Sequence, residues 1–304
     1  MLQFLPAPIL GAVMMALFTL NTLFWSSLVY LAVLVKLLSP RRSGLYDRAS
    51  RLAAWFAQIW AAFNVRLCDT AFRWDWQIRI DANLNPHGQY LVCSNHQSWN
   101  DIFVAMKTFG RKAPFFKFFL KQELMWVPVL NLCWWGLDFP FMKRYSREQI
   151  EKDPSLKGKD LETTRKACER FRHQPVLVMN YLEGTRFTPQ KHARQASPFR
   201  HLLKPKSGGF AFALGAMGEQ LNSLLDVTIV YPDGPQGFWA FLCGRVRSVI
   251  VEVRQLTVPA ELFQGSYEND PAFRAKFQTW IAELWRFKDQ RIGAIRAEAG
   301  LPPA

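Results

Sequence analysis

The sequence has little cysteine and no close cysteine pair. Its five cysteines are widely scattered, without a Cys-x-x-Cys spacing or a histidine-rich segment: Cys68, Cys93, Cys133, Cys168 and Cys243. This spacing argues against a disulfide framework and a zinc site and favours a reducing compartment, so we predict no metal. Cys93 lies close before His96, so a Cys–His pair with the thiol as nucleophile is one candidate. Its apolar neighbours Leu91 and Val92 favour a buried strand cysteine instead.

The N-terminal segment has no charged side chain before Lys36. Its apolar stretch, residues 8–38, is too long for a signal-peptide core and lacks a basic segment before it. About 20 apolar residues cross a bilayer, so one tilted helix fits. A hairpin dipping into one leaflet is the alternative, because a second, shorter apolar stretch follows at 52–65. Basic residues at the end of the first stretch and beyond it predict a cytoplasmic location for the rest of the chain: Lys36, Arg41, Arg42, Arg48 and Arg51.

Acidic residues are too few to balance the basic ones, and the net charge is +14. Such a charge attracts polyanions, which include nucleic acid, anionic lipid, phosphorylated substrates and acidic carrier proteins. The sequence has no recognised nucleic-acid-binding motif, so we predict no nucleic-acid partner. The 25 phenylalanines and 12 tryptophans are typical of a protein at a lipid interface.

From Trp74 onward, strand patterns alternate with helix patterns. We predict strands at 76–80, 89–93, 176–181, 226–231 and 246–253, and helices at 102–109, 161–171, 210–217 and 271–297. Residues 115–120 and 139–142 fit either class. The alternation predicts an α/β domain with a mixed sheet flanked by helices, preceded by a transmembrane or membrane-embedded helical anchor. The C-terminal helix is expected to pack on that domain.

His96 and Asp101 are the first candidates for chemistry. Residues five apart point about 140° away from each other on a continuous helix. The two can meet only if His96 lies in a turn and Asp101 begins the next helix, which the polar turn before Ile102 indicates. A carboxylate on one ring nitrogen would make His96 a general base. The alternative is structural, because Ser98-x-x-Asp101 is also a capping-box pattern.

The chain has no Gly-x-Ser-x-Gly nucleophile elbow, so the group that His96 would activate is expected to be a substrate hydroxyl. Other candidates follow along the chain. Glu183-Gly184-Thr185-Arg186 stands after the strand at 176–181, Arg144 ends an apolar stretch, and Lys206 lies in a basic, glycine-containing segment. Arginine suits phosphate oxygens, although a solvated basic surface explains each segment equally well.

Together and in this order, these segments resemble the glycerophospholipid acyltransferase superfamily, typified by 1-acylglycerol-3-phosphate acyltransferases. The resemblance rests on His96-x4-Asp101, a block ending in Arg144, the block Glu183-Gly184-Thr185-Arg186 and an apolar block at 227–232 that ends in proline. It is greatest to the YihG-type bacterial branch and its eukaryotic relatives. Many members have Phe-Pro where this chain has Tyr181-Leu182. Many also have a lysine where this chain has Gly208, and Lys206 is expected to take the role of that lysine.

The resemblance implies transfer of a fatty acyl group from acyl-CoA or acyl carrier protein to the sn-2 hydroxyl of lysophosphatidic acid, without a cofactor. His96 and Asp101 would be catalytic. Arg144, Arg186 and Lys206 would bind the acceptor phosphate beside Gly184 and Thr185, and Glu183 would contact the glycerol or orient Arg186. The expected location is the inner (cytoplasmic) membrane, facing the cytoplasm. Another acceptor, such as lysophosphatidylglycerol, and a non-catalytic lipid-binding protein stay open.

The expected organisation has three parts. Residues 1–72 form the membrane anchor and interfacial helix, residues 73–255 the acyltransferase domain, and residues 256–304 a helical extension.

Overall fold

The computed structural model describes residues 4–41, 43–142, 151–153, 155, 175–218, 221 and 223–301. Its strands are β1 Asp75–Asp81, β2 Gln89–Ser94, β3 Phe116–Phe118, β4 Leu120–Lys121, β5 Phe141–Met142, β6 Val176–Tyr181, β7 Ser223–Val230 and β8 Ser248–Leu256. Its helices are α1 Ala7–Leu38, α2 Gly44–Ala71, α3 Asp101–Phe109, α4 Leu130–Gly136, α5 Pro189–Gln195, α6 Ser207–Met217, α7 Phe238–Leu242 and α8 Pro271–Glu298.

A mixed six-stranded sheet forms the centre, in the order β1-β8-β7-β2-β6-β3. All neighbouring pairs are parallel except β7 and β8, which are antiparallel. The central strands β2 and β7 are buried on both faces, so burial does not alternate along them. The carboxyl ends of β2, β6 and β7 therefore lie together, and ligand sites of α/β sheets gather at such ends.

Helices cover both faces of the sheet. One apolar core joins the sheet to α1, α2, α3 and α7, and includes Met14, Phe103 and Phe241. The core on the opposite face joins the sheet to α6 and α8, and includes Phe210, Phe277 and Trp285. The expected α/β class and the packing of the C-terminal helix on the domain are confirmed.

Helix α1 is one continuous helix, and it is long and apolar enough to cross a membrane. It packs antiparallel against α2, with a buried hydrogen bond of 2.8 Å from Asn21 Nδ2 to Asn64 Oδ1. Both ends of α1 also contact the domain. Near its start, a Cβ on Gly11 would lie 2.7 Å from Cys243 Sγ. Near its end, Lys36 Nζ lies 2.7 Å from a carboxylate oxygen of Asp138.

The two contact points on α1 are far apart compared with the thickness of a bilayer. A helix rises about 1.5 Å per residue, so Gly11 and Lys36 are roughly 38 Å apart along the axis. A bilayer's hydrocarbon core is only about 30 Å thick. The domain therefore contacts α1 at two points that are farther apart than that thickness.

Several strand boundaries differ from the sequence-based ones. The ambiguous residues 115–120 and 139–142 contain β3, β4 and β5. Strand β7 begins at Ser223 rather than 226, and β8 spans Ser248–Leu256 rather than 246–253. The helix expected at 161–171 lies outside the described residues.

Candidate active site

His96 lies in the turn after β2, and Asp101 is the first residue of α3. His96 Nδ1 is 2.7 Å from Asp101 Oδ2, so the turn brings the two side chains together as expected. Asp101 is fully buried, whereas the His96 side chain is 18% exposed. A carboxylate only accepts hydrogen bonds, so Nδ1 carries the proton and Nε2 keeps its lone pair. This is the tautomer that a general base requires.

Asp101 is held by four groups in all. Its Oδ2 also accepts the backbone N–H groups of Gln97 at 2.7 Å and Ser98 at 3.0 Å. Its Oδ1 accepts the hydroxyl of Tyr231 at 2.7 Å. The bond to Ser98 is one half of a capping box, but Ser98 Oγ instead accepts from Asn100 N–H and donates to Gln236 O. Asp101 thus orders the turn and also holds the His96 ring.

The His96 ring contacts the last residue of β6, and its backbone is bound by the segment that follows. The His96 N–H donates to Glu183 Oε1 at 3.0 Å, and the His96 carbonyl accepts from Phe187 N–H at 2.7 Å. The imidazole stacks on the Tyr181 ring, with centroids 4.0 Å apart and planes 17° apart. These contacts fix the height and plane of the ring. Neither Tyr181 nor Tyr231 was singled out from the sequence for this role, and only their strand-end positions signal it.

Glu183, which was expected to contact the glycerol or to orient Arg186, is fully buried beneath the turn. Its second oxygen accepts from Leu203 N–H at 3.3 Å. Burial raises the pKa of Glu183 to about 8, against the lowering effect of its two backbone hydrogen bonds. Glu183 therefore supports the backbone of His96 from below.

The rest of the Glu-Gly-Thr-Arg segment lies beside the turn. Gly184 has a left-handed backbone with φ +65°, and a Cβ there would lie 3.2 Å from Lys206 Cδ. Lys206 thus crosses over Gly184, and the left-handed backbone explains the need for glycine. The Arg186 guanidinium lies over the Trp99 ring, 4.3 Å from its centroid. Thr185 Oγ1 accepts from Lys191 Nζ at 2.7 Å.

One expected site residue, Arg144, lies outside the described residues. The other expected site residues lie at one end of the sheet, with Glu183 below the rest: His96, Asp101, Gly184, Thr185, Arg186 and Lys206. Among the described residues, no group of His, Cys, Asp and Glu side chains could hold a metal ion.

A buried ion cluster lies under the same strand ends. Asp226 in β7 pairs with Lys288 of α8 and, at 2.6 Å, with Arg254 of β8. Burial alone would raise the pKa of Asp226, but the two cations hold it below its usual value. Cys93 donates its thiol to Asp226, and burial raises the pKa of that thiol well above its usual value. Cys93 is the expected inert strand cysteine, not a nucleophile.

A family model described as Acyltransferase matches residues 76–232, a range that includes His96, Asp101, Glu183, Arg186 and Tyr231. The chain belongs to the acyltransferase family. It is therefore an enzyme of this kind, and the expected resemblance to the glycerophospholipid acyltransferases is confirmed.

Curated relatives within the family are distant. The chain is 23% identical to 1-acyl-sn-glycerol-3-phosphate acyltransferase delta of Rattus norvegicus, covering 81% of this chain and 68% of the relative. It is 24% identical to the gamma enzyme of Mus musculus, over 57% and 44% of the two chains. Lysocardiolipin acyltransferase 1 of Danio rerio is 28% identical over 39% and 31%. The chain thus spans between 31% and 68% of these relatives.

A solved structure has the same fold. The crystal structure of the 1-acyl-sn-glycerophosphate acyltransferase PlsC from Thermotoga maritima superposes with a TM-score of 0.52 at 14% identity. The superposition covers 91% of this chain and 94% of that one. It therefore includes most of the segments outside residues 76–232, to which α1, α2 and α8 contribute.

Proposed function

We propose that this acyltransferase moves a fatty acyl group from a thioester donor to the sn-2 hydroxyl of lysophosphatidic acid, giving phosphatidic acid. The observation that carries the proposal is the His96–Asp101 pair, with Nδ1 bound to the carboxylate at 2.7 Å and a partly exposed ring. The choice of acceptor is supported by the rat and mouse relatives, which are named for acylation of 1-acyl-sn-glycerol-3-phosphate.

The proposed reaction uses only side chains. His96 Nε2 removes the proton of the acceptor hydroxyl while the hydroxyl oxygen attacks the thioester carbonyl. The tetrahedral intermediate collapses, the carbon–sulfur bond breaks, and the imidazolium returns the proton to the departing thiolate. Asp101 stabilises the imidazolium in between, and the Tyr231 hydroxyl keeps that carboxylate in place. No cofactor is needed for these steps.

The acceptor phosphate is assigned to the basic side chains around the turn. Arg186 and Lys206 lie next to Gly184, where the backbone can come close to a ligand. Arg186 is already oriented by the Trp99 ring, so little side-chain entropy remains to be lost on binding. Arg144 is proposed as the third cation, on the family pattern alone.

The membrane is proposed to hold the lipid substrates beside the α1–α2 hairpin. Exposed apolar side chains are frequent there, and include Leu20, Phe24, Leu31, Leu34, Trp55 and Phe63. A cavity of about 220 Å³ between this hairpin and α3 is lined by apolar residues such as Trp25, Ile102, Met106 and Trp134. It suits part of an acyl chain. The positive-inside rule supports the cytoplasmic face of the inner membrane.

A panel assay tests this function. Purified full-length enzyme in detergent is given oleoyl-CoA or oleoyl-acyl carrier protein with lysophosphatidic acid, lysophosphatidylglycerol, lysophosphatidylinositol or lysocardiolipin. We expect the highest kcat/KM with lysophosphatidic acid. A higher value with another lysolipid would change the acceptor and keep the reaction. Binding of lysolipid without acylation by either donor would make the chain a lipid-binding protein and contradict the proposal.

The lysocardiolipin relative and a 2-acyl-1-lysophosphatidylinositol acyltransferase of Saccharomyces cerevisiae, 25% identical over 56% of this chain, are the reason for including those acceptors.

A further inference from the structure

A short segment of the domain presents large apolar side chains to the outside. It comprises a 3₁₀-helix at Gln122–Trp126 and helix α4, and we call residues 122–137 the tryptophan segment. Trp126 is 86% exposed, and three other large apolar side chains of the segment are exposed as well: Met125, Leu132 and Trp135. Exposed apolar clusters of this kind mark contact sites for proteins or membranes.

The composition of the tryptophan segment is typical of an interfacial membrane segment. Residues 124–137 contain no charged side chain, and the charges of Glu123 and Asp138 stand at the two ends. An apolar run of this length is too short to span a bilayer and is typical of a buried or an interfacial helix. The exposed tryptophans exclude the buried helix. Tryptophan rings settle at the headgroup level of a bilayer, so the interfacial alternative fits.

The tryptophan segment is fixed to the C-terminal half of α1. The Tyr30 hydroxyl donates to the Val129 carbonyl, and Lys36 Nζ donates to the Gly136 carbonyl at 3.0 Å. A Cβ on Gly136 would lie 2.3 Å from a methyl carbon of Val33, so glycine allows α4 to approach α1 closely. The outward direction of the exposed side chains is therefore set by packing on α1.

A strained backbone lies between the two halves of the tryptophan segment. Val129 directly precedes α4 and has φ +68°, in the left-handed region that a β-branched residue rarely adopts. Such a backbone costs about 1 to 3 kcal/mol and persists only where its surroundings hold it. The Tyr30 hydroxyl is one group that holds Val129. Strain of this kind is common at functional segments, and here it lies between Trp126 and Leu132, which both face outward.

The exposed side chains of the tryptophan segment continue the exposed surface of α1. Before and after Val33 in the chain, five apolar side chains of α1 are exposed: Leu31, Leu34, Val35, Leu37 and Leu38. The exposed residues of α4 and of α1 thus flank one packing contact and form one apolar surface. Helix α1 is long and apolar enough to cross a membrane. A bilayer that covers this end of α1 therefore also covers the tryptophan segment.

The inner side of the tryptophan segment lines the apolar cavity described above. Leu130, Trp134 and Leu137 belong to the wall of that cavity, whereas Leu132 and Trp135 of the same stretch face outward. Helix α4 therefore separates the cavity from the exposed surface. Contact of α4 with a bilayer would bring lipid within one helix of the cavity.

We propose that the tryptophan segment is a second membrane-binding element, separate from the α1–α2 hairpin. It inserts Trp126 and Trp135 at the headgroup level of the bilayer and holds the apolar cavity against the lipid. The partner is a lipid surface, because the segment has no charge between its ends and adjoins the exposed leucines of α1. This inference rests on the proposed contact of the hairpin with the membrane.

Fluorescent labels on single cysteines test the proposal without an activity assay. Full-length Trp126→Cys, Leu34→Cys and Gln290→Cys proteins are labelled with nitrobenzoxadiazole and reconstituted in vesicles of phosphatidylcholine and phosphatidylglycerol. The free cysteines of the described part of the chain are buried, and Cys168 is replaced by serine in all three proteins. Gln290 is exposed on α8, which packs on the face of the sheet opposite to α1, so it reports the aqueous side.

Phosphatidylcholine with a nitroxide near the top of its acyl chain should quench the Trp126→Cys and Leu34→Cys labels but not the Gln290→Cys label. Quenching of the Leu34→Cys label alone would overturn the proposal and leave the hairpin in the membrane. Quenching of neither would overturn both. A Trp126→Cys label that is shielded from water without nitroxide quenching would also overturn the proposal, because a protein surface such as a second copy of the chain would then cover the segment.

A kinetic comparison tests whether the contact serves the reaction. Trp126→Gln should lower kcat/KM about tenfold for lysophosphatidic acid in vesicles and leave it unchanged in detergent micelles, since only the vesicle offers a bilayer to insert into. Its thermal midpoint in detergent should match wild type, because the ring is almost fully exposed. Phe287→Gln, which alters an exposed aromatic of α8, is the matched control and should keep the wild-type ratio of vesicle to micelle activity.

Equal kcat/KM losses of Trp126→Gln in vesicles and micelles would contradict the proposal, since they would place Trp126 in the reaction itself. If the protein acylates no lysolipid and the Trp126→Cys label is still quenched by lipid nitroxide, the proposed function fails and the membrane contact stands.

Discussion

His96 Nδ1 lies 2.7 Å from Asp101 Oδ2 because His96 lies in a turn and Asp101 begins the next helix. On one continuous helix the two side chains would point away from each other. The aspartate is buried and the histidine reaches the surface. This arrangement fixes which ring nitrogen carries the proton, and the next four predictions follow from the groups that maintain it.

Asp101→Asn should reduce kcat strongly. The amide has a similar shape but carries no charge, so it does not stabilise the imidazolium that forms when His96 takes the proton. General-base catalysis contributes about 10² to 10⁴-fold, and we expect a loss in that range. If Asp101 were only a cap, the variant would lose about 1 kcal/mol of stability and keep its rate. Steady-state kinetics and thermal unfolding in the same detergent separate these outcomes.

Tyr231→Phe should lower both stability and kcat. It removes the hydroxyl bound to the buried Asp101 Oδ1 and leaves that oxygen without this donor. The expected stability loss is about 1 to 3 kcal/mol. Tyr90→Phe is the matched control, because Tyr90 is equally buried and its hydroxyl accepts from Asn85 N–H at the opposite end of β2. We expect the control to lose stability at unchanged kcat. Equal kcat in both variants would show that the Tyr231 hydroxyl does not contribute to catalysis.

Tyr181→Phe should leave activity intact, while Tyr181→Ala should lower it. The ring stacks on His96, but its hydroxyl is buried and has no hydrogen-bond partner among the described residues. Removal of such a hydroxyl is neutral or stabilising, whereas removal of the ring frees the imidazole to rotate. Thermal midpoints and kcat for both variants check this. A large activity loss in Tyr181→Phe would mean that the hydroxyl, and not the ring, acts in the reaction.

Glu183 should make stability depend on pH. Burial raises its pKa from 4.5 to about 8 in the folded protein. The folded state therefore binds a proton that the unfolded state releases, and this contribution is fully present below about pH 4.5 and lost as pH rises to about 8. The difference in unfolding free energy between wild type and Glu183→Gln should fall across that window by on the order of 4 kcal/mol. A difference that stays constant from pH 5 to 9 would show that Glu183 is ionised throughout.

Lys288→Met should destabilise the fold much more than a surface lysine does. Lys288 is fully buried, pairs with Asp226 and donates to the Val227 carbonyl at 2.6 Å. Its loss leaves the buried Asp226 carboxylate with Arg254 as its cation partner among the described residues. Breaking a buried pair costs about 3 to 5 kcal/mol. Lys276→Met on the same helix is the control, because its 3.1 Å pair with Glu261 is more than half exposed. That pair contributes about 0 to 1 kcal/mol. Similar losses in the two variants would contradict the assigned role of Lys288.

The local part of this site could be predicted from the sequence, but its long-range part could not. The turn at His96 and the helix start at Asp101 are five residues apart and follow from strand, turn and capping patterns. Tyr231 contacts Asp101 through the order of the strands, although the two are 130 residues apart in the chain. Lys288 contacts Val227 through helix packing, although these two are 61 residues apart. No periodicity indicates such contacts. The same holds for α1. Its apolar residues predicted a membrane segment, but not the Asn21–Asn64 contact that joins it to α2 or the Lys36–Asp138 contact that joins it to the domain.

Base catalysis by His96 is tested most directly by one pair of variants at the two ends of β2. His96→Ala and His87→Ala each remove one histidine, and His87 is exposed at the far end of the strand. Both are assayed as purified full-length proteins with oleoyl-CoA and lysophosphatidic acid. His96→Ala should lose at least about 10²-fold in kcat with an unchanged thermal midpoint, while His87→Ala keeps the wild-type rate. Transfer by His96→Ala at the wild-type rate would contradict the assignment of His96 as the base.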